Sequence, residues 1–185
     1  TIASVQGEGW HTLIEGEAGF EDGTVNYLSL PAVEIGLRHI VSVGVELIHE
    51  RVTCLSGWLL AQMAALRHSN GAAMIQVFGP VTTSARGATI AFTFLDPAGD
   101  SLDYRHVEGL ASDAGISLRT GCFCNPGAGE IAHNVLQSEM ARCFAPGAPS
   151  TFSEFYTLMH ASGKSASTLR VSLGVASNFA DVWHF

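Results

Sequence analysis

Two cysteines separated by one residue, Cys122 and Cys124, are the side chains of this chain whose type and spacing are best suited to chemistry. They follow Arg119 in a segment interrupted by glycine and proline, and a helix is expected to begin near Gly127. A thiol reacts as its thiolate, and a nearby cation or helix N-terminus lowers a thiol pKa. The spacing therefore predicts that Cys124 is an activated nucleophile or sulfur carrier on a loop.

Two other uses of the cysteine pair stay open from the residues alone. Free cysteine is often a small buried residue, although the neighbouring glycines and proline favour a loop. A structural zinc site needs about four ligands, whereas Cys54 and Cys143 lie in helical contexts away from any paired motif. We therefore expect no metal. The eight histidines are scattered, and His106 and His133 are expected at the surface or as caps, without an assigned function.

Composition limits the classes of protein that the chain can represent. Its 185 residues are 47% hydrophobic and 14% charged, which is enough for one domain with a core. A net charge of −8 argues against a nucleic-acid partner. The longest apolar stretch, residues 28–48, is interrupted by charged residues, which argues against a membrane partner. The four cysteines and the absence of a leader-like start favour reduced thiols in the cytoplasm.

Apolar periodicity predicts the elements that must position the cysteine loop. A hairpin of strands 2–6 and 10–14 turns at residues 7–9. One long helix begins near Leu30, with Pro31 in its first turn and an apolar stripe over residues 33–48 that includes Gly44. The other predicted helices are 53–68, 103–114, 130–143, 153–161 and one from 178; the other predicted strands are 74–78, 89–95, 116–119 and 169–173. This order predicts an α+β fold with a small, mostly antiparallel sheet and helices on one face.

Three segments resemble one known family. Residues 119–128, Arg-Thr-Gly-Cys-Phe-Cys-Asn-Pro-Gly-Ala, resemble the active-site cysteine loop of molybdenum cofactor sulfurases. Residues 20–24 and 169–174 resemble that family's Phe-Glu-Asp-Gly-Thr segment and its C-terminal Arg-Val-Ser-Leu-Gly strand. These sulfurases are relatives of the cysteine desulfurases among the class V, fold-type I pyridoxal phosphate enzymes. The resemblance therefore implies the C-terminal domain of such an enzyme.

The resemblance also implies a role for individual residues. Cys124 matches the cysteine that attacks the sulfur of the substrate and becomes a persulfide, while the role of Cys122 stays open. Arg170 matches the arginine that pairs with the substrate α-carboxylate, and the alternative is an ordinary surface ion pair. Arg119 either binds substrate, tunes Cys124 or anchors the loop. Thr24 matches a threonine that reaches the cofactor phosphate of the partner subunit, and the alternative is a turn residue.

One absence qualifies the resemblance. Pyridoxal phosphate is held as a Schiff base on a lysine, and Lys164, in a polar stretch between a helix and a strand, is the only lysine in the sequence. In the family this lysine precedes the segment that residues 20–24 match. We therefore expect a piece of a longer protein, inactive and without cofactor by itself. Residues 1–28 would end the missing cofactor domain, and residues 29–185 would form the small domain with its linking helix.

The function expected for the parent protein is sulfur transfer from L-cysteine to a sulfur acceptor. The parent is expected to be a cytoplasmic homodimer that uses pyridoxal phosphate. An alternative within the same fold is an aminotransferase, epimerase or lyase that needs no thiol. A cofactor-free module that relays sulfur or dimerises is the alternative from a different class. One departure from the family is Gly129, which stands where relatives often have a further cysteine.

Overall fold

The computed structural model describes residues 2–5, 11–20, 24–121, 126–143, 151–165 and 167–185. The predicted turn at residues 7–9, residues 21–23 of the second motif, and both Cys122 and Cys124 lie outside the described residues. The chain forms two compact units, Thr1–Val45 and Glu46–Phe185. The predicted boundary between residues 28 and 29 separates two domains of a longer protein, and it stays a prediction.

The first unit contains the predicted hairpin and a helix. Strands β1 (Ile2–Val5) and β2 (His11–Leu13) pair antiparallel, which confirms the hairpin. Two short 3-10 turns, Glu17–Phe20 and Tyr27–Ser29, precede helix α1 (Leu30–Val43). Proline in the first turn of α1 agrees with the prediction, because proline lacks only a donor that the first turn leaves unused.

Helix α2 (Val45–Ala65) differs from the predicted helix 53–68 in both of its ends. The break between the first two helices lies at Gly44, whose φ of +97° suits glycine and whose N–H donates to the carbonyl of Ile40. Apolar periodicity runs through Gly44 without interruption, so the pattern alone misplaced this break. Among the described helices none is long and apolar enough to span a membrane alone, and α1 and α2 together pass that test only as a broken pair.

The second unit is built on a four-stranded antiparallel sheet of order β3-β4-β6-β5. Its strands are β3 (Ile75–Phe78), β4 (Thr89–Phe94), β5 (Arg119–Gly121) and β6 (Thr168–Ser172). The remaining helices are α3 (Tyr104–Asp113), α4 (Pro126–Ala132), α5 (Gln137–Cys143), α6 (Phe152–Ala161) and α7 (Phe179–His184). This small antiparallel sheet with its helices confirms the predicted α+β fold class.

Besides α2, two predicted elements differ from the structure by more than one residue. The strand predicted at residues 116–119 begins only at Arg119, and the helix predicted at 130–143 is divided into α4 and α5. Asn134 between them has a positive φ of +52°, which ends a right-handed helix. The N–H of Leu136 then donates to the Glu139 carboxylate at 2.7 Å, which starts α5.

One face of the sheet forms the core of the second unit. Ile90 and Phe92 of β4 are 0% exposed, and they belong to one core cluster with residues of α2, α3, α7, β3 and β6. Leu169 and Val171 extend this face along β6. Because side chains alternate between the faces of a strand, Ala91 of β4 and Arg170 of β6 belong to the opposite face.

Candidate functional site

Two arginines lie opposite each other on the sheet face that points away from the core. Arg119 of β5 is in register with Arg170 of β6, Arg170 with Ala91 of β4, and Ala91 with Phe78 of β3. Directly opposite residues of antiparallel strands project from the same face. Since Phe92, next to Ala91, is buried in the core, the two arginines occupy the other face, which we call the arginine face.

Like charges directly opposite each other destabilise a strand pair, so the alignment of Arg119 with Arg170 does not by itself stabilise the pairing of β5 with β6. Arg170 is half-buried and Arg119 is exposed. No ion pair of Arg119 occurs within the part of the chain that the structure describes. A guanidinium presents planar donors that match a carboxylate in bidentate geometry. The arginine face is therefore suited to binding a small anion such as a carboxylate.

Strand β5 connects this anion site directly to the cysteine segment. The Thr120 hydroxyl donates to the Glu108 carboxylate of α3 at 3.2 Å, which attaches β5 to that helix. Gly121, the last residue of β5, has a φ of +115° that glycine adopts without steric cost. It immediately precedes Cys122 in the sequence. Arg119 therefore lies on a short, anchored strand whose last residue directly precedes Cys122 in the sequence.

His133 also contacts the arginine face, although sequence reasoning assigned it no function. Its Nε2 lies 2.9 Å from the Oγ1 of Thr168, and its ring packs edge-to-face on Phe78 at 5.0 Å between centroids. Burial lowers the pKa of His133 below its ordinary value, so the ring is neutral near pH 7. Its partners are distant in the sequence, so no local pattern identified it. His133 directly follows α4, as a cap residue does, with its ring half-buried.

The other predicted site residues are placed as follows. Cys122 and Cys124 lie outside the described residues. Thr24 is exposed and belongs to the first unit. Cys54 is an exposed free thiol on α2, and the described residues contain no group of three or more side chains able to hold a metal ion. The structure thus brings together Arg119 and Arg170, and the roles of all the predicted site residues stay predictions.

Lys164 shows whether this chain can anchor pyridoxal phosphate. Its ammonium donates to both carboxylate oxygens of Glu139, at 2.6 and 2.8 Å, and to the carbonyl of Asn134 at 2.8 Å. These contacts attach the polar stretch before β6 to the turn between α4 and α5. A Schiff base needs an amine available to an aldehyde, and the single lysine of the sequence is committed to an ion pair. The residues of this chain therefore do not fit the anchoring of that cofactor.

Comparison with known proteins places the chain in a family. The model of the aminotransferase class-V family matches residues 2–185. The chain therefore belongs to the aminotransferase class-V family. The resemblance predicted from the three motifs is thereby confirmed at the level of the family.

Individual relatives make this placement more specific. The chain is 35% identical over 173 residues to molybdenum cofactor sulfurase of Solanum lycopersicum, covering 91% of this chain and 20% of that protein. It is 34% identical over 180 residues to the sulfurase of Arabidopsis thaliana, covering 91% of this chain and 21% of that protein. The chain thus spans about a fifth of the length of these relatives.

A solved structure supports the fold. The apo structure of cysteine desulfurase from Thermococcus onnurineus NA1 matches with a TM-score of 0.55 and 19% sequence identity. The match covers 99% of this chain and 35% of that chain. At this identity the likeness shows the fold alone, which agrees with the α+β arrangement described above.

Proposed function

We propose that this chain is the carboxylate-binding and sulfur-accepting part of a sulfur-transfer enzyme that uses L-cysteine. The observation that supports this most directly is the register of Arg119 with Arg170, on a strand that ends one residue before Cys122 in the sequence. One guanidinium suffices for the α-carboxylate of an amino acid, and we assign that role to Arg170. Arg119 is then the cation closest in sequence to the cysteines, where it favours a thiolate.

In the proposed reaction the thiolate of Cys124 attacks the sulfur atom of substrate cysteine. A sulfur–sulfur bond forms, the carbon–sulfur bond of the substrate breaks, and its electron pair stays on the carbon. That carbon takes up one proton, so alanine leaves and Cys124 remains as a persulfide. The persulfide then passes its terminal sulfur to an acceptor thiol or cofactor. No external oxidant or reductant is needed, because the substrate supplies the sulfur and the carbon receives the electrons.

The cofactor and the assembly belong to the same proposal. Full-length class V enzymes of this kind depend on pyridoxal phosphate, and we propose that residues outside this chain anchor it, since Lys164 is ion-paired. Thr24 is proposed to contact the cofactor phosphate of a partner subunit in a cytoplasmic homodimer. Neither a nucleic acid nor a membrane is proposed as a partner, in keeping with the net charge of −8.

The experiment uses the full-length gene product, incubated with L-cysteine and analysed by peptide mass spectrometry. We expect one added sulfur atom on Cys124 and release of alanine. Both are lost in Cys124→Ala and retained in the matched control Cys122→Ala. An unmodified Cys124 together with undiminished turnover in Cys124→Ala contradicts the proposal and favours a class V enzyme that needs no thiol. Absence of the visible absorbance of bound pyridoxal phosphate, with a reactive thiol, favours a cofactor-free relay or dimerisation module.

A further inference from the structure

Thr168, the first residue of β6, is contacted by the chain on both sides of the cysteine segment. Its backbone is in register with Gly121, the last residue of β5. Its hydroxyl oxygen lies 2.9 Å from Nε2 of His133, the first residue after α4. Thr168 is 7% exposed, so both contacts are made in a largely dry environment. A hydrogen bond is costly to leave unmade in such a place.

The two residues that contact Thr168 flank the cysteine segment in the sequence. Residues 122–125 connect Gly121 to α4, which begins at Pro126 and has only seven residues. A helix this short is not stable by itself in water and depends on tertiary contacts. The ring of His133 provides two such contacts, one with Thr168 and one with Phe78 of β3. The described elements before and after the cysteine segment are therefore both attached to the sheet next to the arginine pair.

The residues that follow His133 are attached as well, but to other elements. The carbonyl of Asn134 accepts from Lys164, and the N–H of Val135 donates to the carbonyl of Glu130 within the α4 turn. These bonds fix the backbone of the turn and do not require an imidazole. Replacing the ring of His133 therefore leaves these backbone hydrogen bonds in place, so the substitution tests the contact of the ring with the sheet.

We propose that His133 is a positioning residue for sulfur transfer. It holds α4, the element that follows Cys124 in the sequence, to β6 through Thr168, next to the arginine pair. This inference rests on the proposed function, since it concerns the geometry of the attacking thiol. Misplacing a reacting group by about 1 Å can cost on the order of a hundredfold in rate. The role of His133 is therefore expected in the sulfur step and not in substrate binding, which the proposed function assigns to Arg170.

The test compares matched variants of the full-length gene product. His133→Phe keeps a ring against Phe78 and removes the hydrogen bond, Thr168→Val removes its partner, and His133→Gln keeps a polar group able to reach Thr168. His68→Phe is the matched control, because His68 is also half-buried with its Nε2 2.9 Å from a backbone oxygen, that of Leu95. The readouts are hydrogen exchange of peptides within 119–135, the rate of persulfide formation, and KM for L-cysteine.

For His133→Phe and Thr168→Val we expect faster exchange in these peptides and about tenfold slower persulfide formation, with KM within about twofold of wild type. The double variant is expected to be no slower than either single variant, because both remove one interaction. His133→Gln should restore most of the rate, and His68→Phe should leave rate and exchange unchanged.

Three results overturn the inference. The first is wild-type exchange and rate in His133→Phe while the wild-type protein forms a persulfide, which refutes the inference and leaves the proposed function standing. The second is an equal loss of rate in His68→Phe, which reduces the effect to general destabilisation. The third is absence of a persulfide in the wild-type protein, which refutes the proposed function and the inference with it.

Discussion

The two faces of the four-stranded sheet are built from alternate residues of the same strands, but their side chains differ in burial and in charge. On β6, Leu169 and Val171 are buried in the core, while Arg170 between them is half-buried on the arginine face. On β4, Phe92 is fully buried, while its neighbour Ala91 lies in the row that carries both arginines. The core face is apolar and packed; the arginine face carries opposed like charges and a neutral histidine.

This difference shows how the core sets the geometry of the site. A one-residue slip of a strand exchanges its two faces, and it would carry Arg170 into the core. The burial of Leu169 opposite Phe92 prevents such a slip, because a buried guanidinium without a partner is far more costly than an exposed one. The position of Arg170 on the arginine face is thus maintained by the apolar residues of the core face.

The largest effect is expected from the core face. Phe92→Ala removes a fully buried ring that lies 5.6 Å from Phe94 and 5.9 Å from Phe185 between centroids. We expect it to lower the free energy of unfolding by about 3–5 kcal/mol, from lost burial and a cavity. The measurement is urea unfolding of the 185-residue chain followed by circular dichroism. Phe179→Ala, at a ring that is 52% exposed, is the control and should cost about 1 kcal/mol.

On the arginine face the expected effect is on function and not on stability. Arg170→Lys keeps the charge and removes the planar bidentate donors, so KM for L-cysteine should rise about tenfold to a hundredfold. The unfolding midpoint should stay within about 2 °C of wild type. The measurement is steady-state kinetics of the full-length gene product, with Arg67→Lys as the control. An unchanged KM in Arg170→Lys would remove Arg170 from the carboxylate site.

Much of the difference between the two sheet faces could be predicted from the sequence. The alternation of Ile90, Phe92 and Phe94 identified β4, and Arg170 was placed within the predicted strand 169–173, which corresponds to β6. Local periodicity reports which residues of one strand share a face. The order of the predicted helices and strands then gave the α+β fold class, and the family resemblance implied the same domain.

The parts that could not be predicted depend on contacts between distant segments. The pairing of β5 with β6 brings Arg119 opposite Arg170, and neither sequence segment contains information on that register. His133 was left without a role because its partner Thr168 is 35 residues away. The break at Gly44 was missed because glycine within an apolar stripe is compatible with either a helix or its end.

A smaller effect is expected at Tyr156 of α6, which is 1% exposed. Its hydroxyl donates to the Asp103 carboxylate at 3.0 Å, and the Arg105 guanidinium lies 4.6 Å from its ring centroid. Burial, with the hydrogen bond to Asp103, raises the pKa of Tyr156 to about 12. Tyr156→Phe should lower the free energy of unfolding by about 1 kcal/mol at pH 7.

The pH dependence of this variant has a definite sign. A folded-state pKa above the unfolded value of about 10 means that the folded form keeps its proton longer, so stability is lost between pH 10 and 12. Tyr156→Phe should reduce that alkaline loss, as measured by urea unfolding across this range. The hydrogen bond from Arg105 lowers the pKa of Asp103 to about 2, so acid loss between pH 4 and 2 should persist in this variant. An undiminished alkaline loss would show that Tyr156 does not cause it.

The smallest effect on stability is expected for a substitution of His133, which contacts the arginine face. Burial lowers the pKa of His133, so the unfolded chain binds its proton at a higher pH than the folded chain does. Stability is therefore complete above the unfolded pKa of about 6.5 and is lost as the pH falls through the folded value. The charged side chains on the elements around His133 include Arg170 on β6, Glu130 on α4 and Lys164, which is paired with Glu139.

His133→Gln removes the titrating ring, so the free energy of unfolding should change less between pH 7 and pH 5 than in the wild-type chain. The measurement is urea unfolding at intervals across that range, with His106→Gln, an exposed residue of α3, as the control. If the arginine face were as open to water as the control position, both variants would follow the wild-type curve. A flatter curve in His133→Gln alone would show that this end of the face is dry where α4 meets β6, which is what a hydrogen bond that positions the neighbouring segment requires.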